Sequence, residues 1–371
     1  LSRWPVDGAS TPDHGAEAGF GRLLDRLRPD VVHVVDNVHL ALEIPEVAHD
    51  AGIPVVRTVS CAEDLCALVA PVSPCSGASG ACVPPLTPEH CASCVVAAQP
   101  EWLATDPRDA HADDGAGDPA WWRARLLDAL RRKRARAVHQ FTEVFDRIVF
   151  SNDAWRAWFE STLPLDPAKA RTVPMGIDAE RWAGRARVAR VPDPSAPVVF
   201  GFAGTLDPVK GADALQRAFE SPALRERDDY RLRCFGSGDP ALLGALAEHP
   251  RVELHGAYRS EELPDLLAGV HVGLAPSYFE TWHRVTREYL LSGLPVISSN
   301  TLGVRDVLHH GVNGLLFDHA EPDSLVRALT AVLDDRALLA RLADGAVATP
   351  IRTVDEEAED LAALYECDVR I

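Results

Sequence analysis

Methionine and lysine are nearly missing from this chain. Its only methionine is Met175, so Leu1 is not an ordinary initiator, and the natural protein is expected to start earlier or from a nonstandard codon. Of 37 basic residues only Lys133, Lys169 and Lys210 are lysines, leaving 37 − 3 = 34 arginines. That bias, with abundant Ala, Asp and Pro, reads as GC-rich coding and makes the place of each lysine worth following. No apolar run approaches the roughly 18 to 20 residues of a membrane span, and no charged head with an apolar core opens the chain. A soluble, cytoplasmic protein is expected. A basic excess is missing as well: the formal charge is −18, which argues against nucleic acid as a partner, because neutralising phosphates needs a basic face. What is present is ordinary for a globular chain: 371 residues, 47% hydrophobic and 25% charged. At about 150 residues per domain this allows two or three domains and excludes disordered, collagenous and small disulfide-stapled classes.

The organisation is that of tandem α/β domains. Val31 to Val35 and Pro54 to Val59 are β-branched runs with a helical stretch, His39 to Ala48, between them, a βαβ pattern that predicts a parallel sheet. Residues 67–120 lack periodicity, are rich in Pro, Gly, Ser, Cys and Asp, and read as an insertion. A helix over about 119–145, a strand at 147–151, a helix near 154–161 and a turn at 174–178 follow. The Arg- and Pro-rich stretch 184–197 reads as a linker. Beyond it the rhythm restarts, with strands expected at 198–203, 230–235, 252–255, 270–275 and 295–298 and helices at 212–219, 240–247, 261–267 and 285–291. Val354, Ala358, Leu361 and Tyr365 fall at helical spacing and predict a closing amphipathic helix. The expected division is a first domain over 1–190, a second over 191–350, and a helix over 351–371 packing back on the first.

The chemistry concentrates in the second domain. Pro276-Ser277-Tyr278-Phe279-Glu280-Thr281-Trp282-His283-Arg284-Val285-Thr286-Arg287-Glu288 lies between a strand and a helix. Open α/β sheets bind ligands beyond the carboxyl ends of their strands, where helix N-termini offer N–H groups to anions. With Glu280 in the loop and Glu288 on the helix, the carboxylates stand about 12 Å apart if all steps are helical. They can then act on different parts of one elongated ligand but cannot form a close dyad. Gly204-Thr205-Leu206-Asp207-Pro208-Val209-Lys210-Gly211 also joins a strand to a helix. Its glycine permits close backbone approach, and Lys210 can set a point charge against a phosphate.

Together with Gly236-Ser237-Gly238, Pro276-Ser277, the Glu280-x7-Glu288 pair, Gly293 to Ile297 and Gly311 to Leu315, these segments resemble the nucleotide-sugar-binding half of retaining GT-B glycosyltransferases of family 4. The resemblance covers about 150 residues in order and extends less sharply to residues 29–33, Ser151 and residues 174–178. It implies a GT-B fold, two Rossmann-like doubly wound domains facing a central cleft. It implies a hexosyltransferase that moves a sugar, with retention and without a metal, from a nucleoside-diphosphate donor, UDP- or GDP-linked, to a carbohydrate or lipid-linked acceptor. Glu280 resembles the glutamate beside the transferred sugar, Glu288 the one on the ribose, and Lys210 the lysine on the diphosphate. Backbone N–H groups of His283, Arg284 and Val285 would hold the distal phosphate, Gly204, Thr205 and Gly236 would line the donor, and Tyr258 and Arg259 would contact the base. Two departures stand out: Thr205 occupies a place where arginine is common, and Thr281-Trp282-His283 replaces Gly-Phe-Gly. A non-catalytic GT-B binding protein, and a GT-B nucleotide-sugar epimerase or hydrolase, are the alternatives.

In such enzymes the first domain receives the acceptor, often through a His-Asp pair after the second strand; here that place holds Glu63 and Asp64, with His33 and His39 as alternatives. The opening strand and Gly-rich loop of relatives are not recognisable in residues 1–30, so an incomplete acceptor domain is expected. Six of eight cysteines lie between Cys61 and Cys94. Cys75, Cys82, Cys91 and Cys94 end in the C-x2-C spacing that lets two thiolates meet a structural zinc, with free thiols or a redox-labile disulfide as alternatives. Residues 121–136 carry seven basic residues on a helix. They could rest on anionic lipid at the inner membrane face, although a solvated or salt-bridged helix is the simpler account.

Overall fold

The computed structural model describes residues 14–35, 43–66, 82, 85–98 and 119–368. His39 and Cys75 lie outside them. Two compact units emerge: Leu1–Pro174 with Ala358–Ile371, and Met175–Glu357. The division falls ahead of the 184–197 stretch, which stays with the second unit. Its anchor is Gly176, which accepts a close backbone approach: a Cβ there would sit 2.0 Å from the Thr353 carbonyl oxygen. Ile177 pairs with Thr353, and Trp182 donates its indole N–H to Ser292 Oγ at 2.8 Å.

The first unit contains α1 (His14–Leu27), β1 (Val32–Val34), α2 (Ile44–Asp50), β2 (Val55–Val59), α3 (Pro88–Ala98), α4 (Pro119–His139), β3 (Arg147–Phe150), α5 (Asp153–Glu160) and β4 (Ala170–Thr172). Its four parallel strands lie in the order β1-β2-β3-β4. Every residue of β2 is buried, as a parallel strand covered on both faces demands. The helix after β1 starts later than its apolar spacing suggests, at Ile44, where Pro45 occupies the first turn. Residues 67–120 are not wholly irregular, since α3 lies within them and packs on α4. Helix α4 stops at His139 and runs into a π-helical turn, Gln140–Val144.

The second unit contains β5 (Val198–Ala203), α6 (Ala212–Glu220), α7 (Pro222–Arg225), β6 (Tyr230–Phe235), α8 (Pro240–Ala247), β7 (Val252–Gly256), α9 (Leu263–Leu266), β8 (Val272–Ala275), α10 (Arg284–Leu291), β9 (Val296–Ser299), β10 (Gly314–Phe317), α11 (Ser324–Asp334) and α12 (Arg336–Ala348). The parallel sheet has the order β10-β9-β8-β5-β6-β7. Sequential growth thus reverses between β5 and β8, the dinucleotide-fold order with its switch point there. Strand β5 feeds two cores. Val198, Phe200 and Phe202 pack with α6 and α11, while Val199 and Ala203 pack with Tyr289 and Leu290 of α10. β10, α11 and α12 were not foreseen: β10 starts within the turn-like Gly311-Val312-Asn313-Gly314 segment, which masks its short apolar run. α9 is a single turn flanked by 3-10 turns, with Pro264 in the first turn, where its missing N–H is not needed.

Helix α13 (Val354–Asp368) closes the chain, and its Leu361, Leu364 and Tyr365 pack against Val56 and Val149 of the first unit. Among the described residues no helix is long and apolar enough to cross a membrane.

His271 links β5 to β8. Its Nδ1 accepts the Val199 N–H at 2.9 Å, and burial, helped by Arg336, Arg190 and Arg233, lowers its pKa to about 4. The folded state therefore keeps the ring neutral where the unfolded chain, with an ordinary value near 6.5, takes up a proton. Stability is full above that value and is lost as pH falls toward 4. Thermal midpoints should drop between pH 7 and pH 4.5, and His271→Asn should flatten that slope; equal slopes would remove His271 from the cause.

Candidate functional site

The loops leaving β5 and β8 meet at the switch point. The first, 204–211, begins at Gly204, which adopts φ +148°, and ends at Gly211, which caps α6 at φ +77°. The left-handed conformation suits glycine, and so does the space: a Cβ on Gly211 would stand 2.1 Å from the Pro276 carbonyl oxygen. Asp207 Oδ1 accepts the Lys210 N–H at 2.8 Å, and the Tyr278 N–H reaches the Val209 carbonyl at 3.0 Å, so the two loops are stitched together. Gly236 belongs to the same corner, because a Cβ there would lie 1.9 Å from the Gly204 carbonyl oxygen.

This packing brings Lys210 to Glu280, Nζ to Oε1 at 2.7 Å. The sequence placed both in one site but did not foresee their contact. Burial alone pushes the Glu280 carboxyl up; His283, Lys210 and the Ser277 hydroxyl outweigh it and hold the group below its ordinary range. His283, 3% exposed, is the N-cap of α10: its Nδ1 accepts from the Thr286 backbone N–H at 3.4 Å, and its Nε2 lies 3.2 Å from Ser277 Oγ and 3.6 Å from Glu280 Oε1. Burial lowers its pKa to about 4, so the ring is neutral near pH 7.

The backbone of His283 differs from expectation. Its N–H already serves the Gly303 carbonyl at 3.2 Å, and that of Thr286 serves the His283 ring. Among the described residues, the N–H groups of Arg284 and Val285 remain for an anion at the start of α10. Gly303 backs this turn closely, a Cβ there falling 2.7 Å from the Trp282 nitrogen and 2.9 Å from that of His283. Arg287, unforeseen because nothing marks it in an arginine-rich chain, fastens the same turn. Its guanidinium donates to the Gly303 carbonyl at 3.0 Å and to both Asp306 oxygens at 2.8 and 2.6 Å, and lies 4.9 Å from the Trp282 ring centre. A buried arginine clamp thus does for this turn what small residues do in a tighter one.

Glu288 sits on the second turn of α10, 6% exposed, and its carboxylate makes no hydrogen bond or ion pair among the described residues. Burial raises its pKa against the pull of Arg284 and Arg181. Tyr258 is close enough to feel that carboxylate; burial and Glu288 together push its phenol up to about 12. Arg259 stands apart, 79% exposed and paired with Glu262 at 2.9 Å, and Thr205 is exposed.

In the first unit, Glu63 and Asp64 are not solvated loop acids. Both are buried on the Arg57 guanidinium, Asp64 at 2.9 Å and Glu63 in a still closer contact, and Arg57 itself is fully buried. His33 contacts Tyr365 Oη at 2.5 Å and Thr58 Oγ1 at 2.7 Å, and burial followed by Arg57 lowers its pKa to about 4. These contacts give His33 a structural role and do not join it to Glu63 or Asp64. Among the described residues no group of three His, Cys, Asp or Glu side chains is arranged to hold a metal; Cys82, Cys91 and Cys94 are each buried. On α4, Arg131, Arg132 and Arg136 pair with Glu89, Asp128 and Glu43, and Lys133 is buried, so these four charges have partners or lie within the unit.

Two substitutions test this architecture. Gly211→Ala should lower unfolding free energy by about 2 kcal/mol or more, read from urea denaturation, because it adds both a strained φ and a clash with Pro276. Arg57→Ala should cost about 3 to 5 kcal/mol by leaving two buried carboxylates without their cation; a loss below about 1 kcal/mol would mean that water replaces it.

Residues 197–335 match the family model described as Glycosyl transferases group 1. The D-inositol 3-phosphate glycosyltransferase of Geodermatophilus obscurus is 31% identical over 265 residues, 62% of this chain and 57% of that protein. The GDP-mannose-dependent alpha-mannosyltransferase of Corynebacterium glutamicum is 34% identical over 166 residues, 43% of this chain and 38% of that protein. The chain spans about half the length of the inositol phosphate relatives it matches. Among solved structures, Anabaena HepE in complex with UDP superposes with a TM-score of 0.63 at 16% identity, covering 96% of this chain and 84% of that one. Residues 197–335 thus match the group 1 glycosyltransferases in sequence, and the fold of the chain is GT-B.

Proposed function

We propose that the chain is a retaining glycosyltransferase that moves a sugar from a nucleoside-diphosphate donor to a carbohydrate or lipid-linked acceptor. The observation that carries this reading is the contact of Lys210 with Glu280 at the switch point, beside the start of α10. A nucleoside-diphosphate sugar is an elongated ligand with two negative phosphates between two polyhydroxyl groups, and the site offers partners in that sequence. The Lys210 ammonium and the free N–H groups of α10 meet the diphosphate, with the helix dipole behind them. Glu280, kept ionised, accepts from hydroxyls of the transferred sugar, and Glu288, without a partner among the described residues, accepts from those of the ribose. Tyr258, next to Glu288, stands on the base side.

In the reaction the anomeric C–O bond to the diphosphate breaks, its electron pair passing to the phosphate oxygen. The acceptor oxygen forms the new bond to the same carbon, and its proton passes to the departing diphosphate oxygen. Lys210 and α10 stabilise the charge that develops on the leaving group, an electrostatic task that needs donors fixed in advance. The clamp of Arg287, Asp306 and Gly303 fixes them. The similarity to a GDP-mannose-dependent enzyme and to the UDP-bound HepE fold supports GDP- and UDP-linked sugars as the first donors to try.

A thermal-shift screen against UDP, GDP, ADP and TDP and their sugars tests the reading, since a ligand of the native state raises its midpoint. One nucleotide series should stabilise the chain, and Glu288→Ala should remove the shift. Lys210→Ala should weaken nucleoside-diphosphate binding about tenfold, as loss of one charge-assisted contact does, whereas Glu280→Ala should abolish transfer and keep nucleotide binding. Wild-type transfer by both variants would refute the site. Release of free sugar to water in the presence of every acceptor offered would favour a hydrolase.

A further inference from the structure

We propose that His283 is a positioning residue for Glu280, its fixed ring holding the Ser277 hydroxyl at 3.2 Å and standing 3.6 Å from the carboxylate, so that Glu280 stays aimed once Lys210 is drawn away to the diphosphate; this rests on the reading of the site given above. The tautomer follows from the helix cap. A backbone N–H can only donate, so the Nδ1 that faces the Thr286 N–H at 3.4 Å and Thr286 Oγ1 at 2.9 Å carries a lone pair. The ring proton is therefore on Nε2, between Ser277 Oγ at 3.2 Å and Glu280 Oε1 at 3.6 Å.

Lys210 and His283 approach the same oxygen of Glu280. The two donors differ in freedom. Lys210 is 41% exposed on a flexible stem and can follow a phosphate, while His283 is 3% exposed and tied by its cap. Glu280 is 14% exposed, so when Lys210 leaves, it must keep another donor or lose its orientation and its charge. The charged groups facing the imidazole are Glu280, Lys210 and, from α10, Arg287; Ser277 and Thr286 supply hydroxyls. Two cations and burial keep the ring neutral, so it acts as a directed dipole and not as a competing charge.

Two variants separate the cap from the donor. His283→Asn keeps a side-chain oxygen at the cap, where asparagine ranks among the best residues, but places nothing at the Nε2 position. His283→Gln brings an amide N–H to that position and weakens the cap. With UDP-glucose and GDP-mannose as donors, His283→Asn should lower kcat for nucleoside-diphosphate release about ten- to a hundredfold, as expected when a mostly buried carboxylate loses the group that orients it. Its Kd for UDP or GDP should stay within about a factor of two, its Tm should be unchanged, and His283→Gln should recover part of kcat despite a lower Tm. Unchanged kcat in His283→Asn, or a loss that tracks nucleotide binding or Tm, overturns the proposal.

Histidine-ring nitrogen-proton correlations of the unliganded wild-type chain at pH 7, assigned by comparison with His283→Asn, provide a readout independent of activity. A protonated Nε2 with a bare Nδ1 is expected; an Nδ1–H tautomer or an imidazolium overturns the proposal. If the wild type neither binds UDP or GDP nor cleaves either donor, the glycosyltransferase reading fails and the positioning role with it, while the ring spectrum still decides the geometry.

Discussion

Because β5 and β8 are neighbours in the sheet while α6 and α10 pack on its opposite faces, the loops after these strands lead to opposite faces yet meet at one corner, where Gly211 lies against Pro276. The other features of the second unit answer to that constraint. Gly211 and Gly236 allow backbones to approach where a side chain would collide, and the approach sets Lys210 against Glu280. Tyr289 adds a brace from beneath: it receives the Ala203 N–H at 2.7 Å and covers Gly273, where a Cβ would lie 2.3 Å from its ring. Strand end, loop and helix start are thereby held as one rigid corner.

Charge at this corner is arranged by unequal mobility. Glu280 and His283 are buried and tied to the α10 turn, and Arg287 is spent on Gly303 and Asp306. Lys210 alone of these charged partners has both substantial exposure and a long stem. The diphosphate of the proposed donor would meet one movable cation and fixed backbone dipoles, so little of the site would have to reorganise. Burial works on the two glutamates in opposite net directions: Glu280 has donors enough to stay below its ordinary pKa, whereas Glu288 lacks them and rises.

The first unit uses buried charge differently. Arg57 reaches the Val34 and Thr58 carbonyls at 3.4 and 3.0 Å as well as Glu63 and Asp64, so one guanidinium ties the ends of β1 and β2 to the segment that follows. His33, Thr58 and Tyr365 then join that sheet to α13. These polar groups, which as isolated letters suggest reactivity, are absorbed by structure, because a buried ion or imidazole without partners would be far costlier.

By itself the sequence determined most elements of the second unit from β5 to β9, since buried apolar strands and amphipathic helices set between turn residues leave a pattern. It did not reveal β10, whose short run starts inside the turn-like Gly311 to Gly314 segment, or the first-unit fate of Glu63 and Asp64, whose partner Arg57 is hidden in a buried strand. Nor did it show that Lys210 touches Glu280 or that the His283 ring caps α10 beside Ser277: those contacts depend on the folded loops bringing the side chains together. Local periodicity writes strands and helices into the chain, whereas which donor meets which acceptor is decided only when packing brings distant segments together.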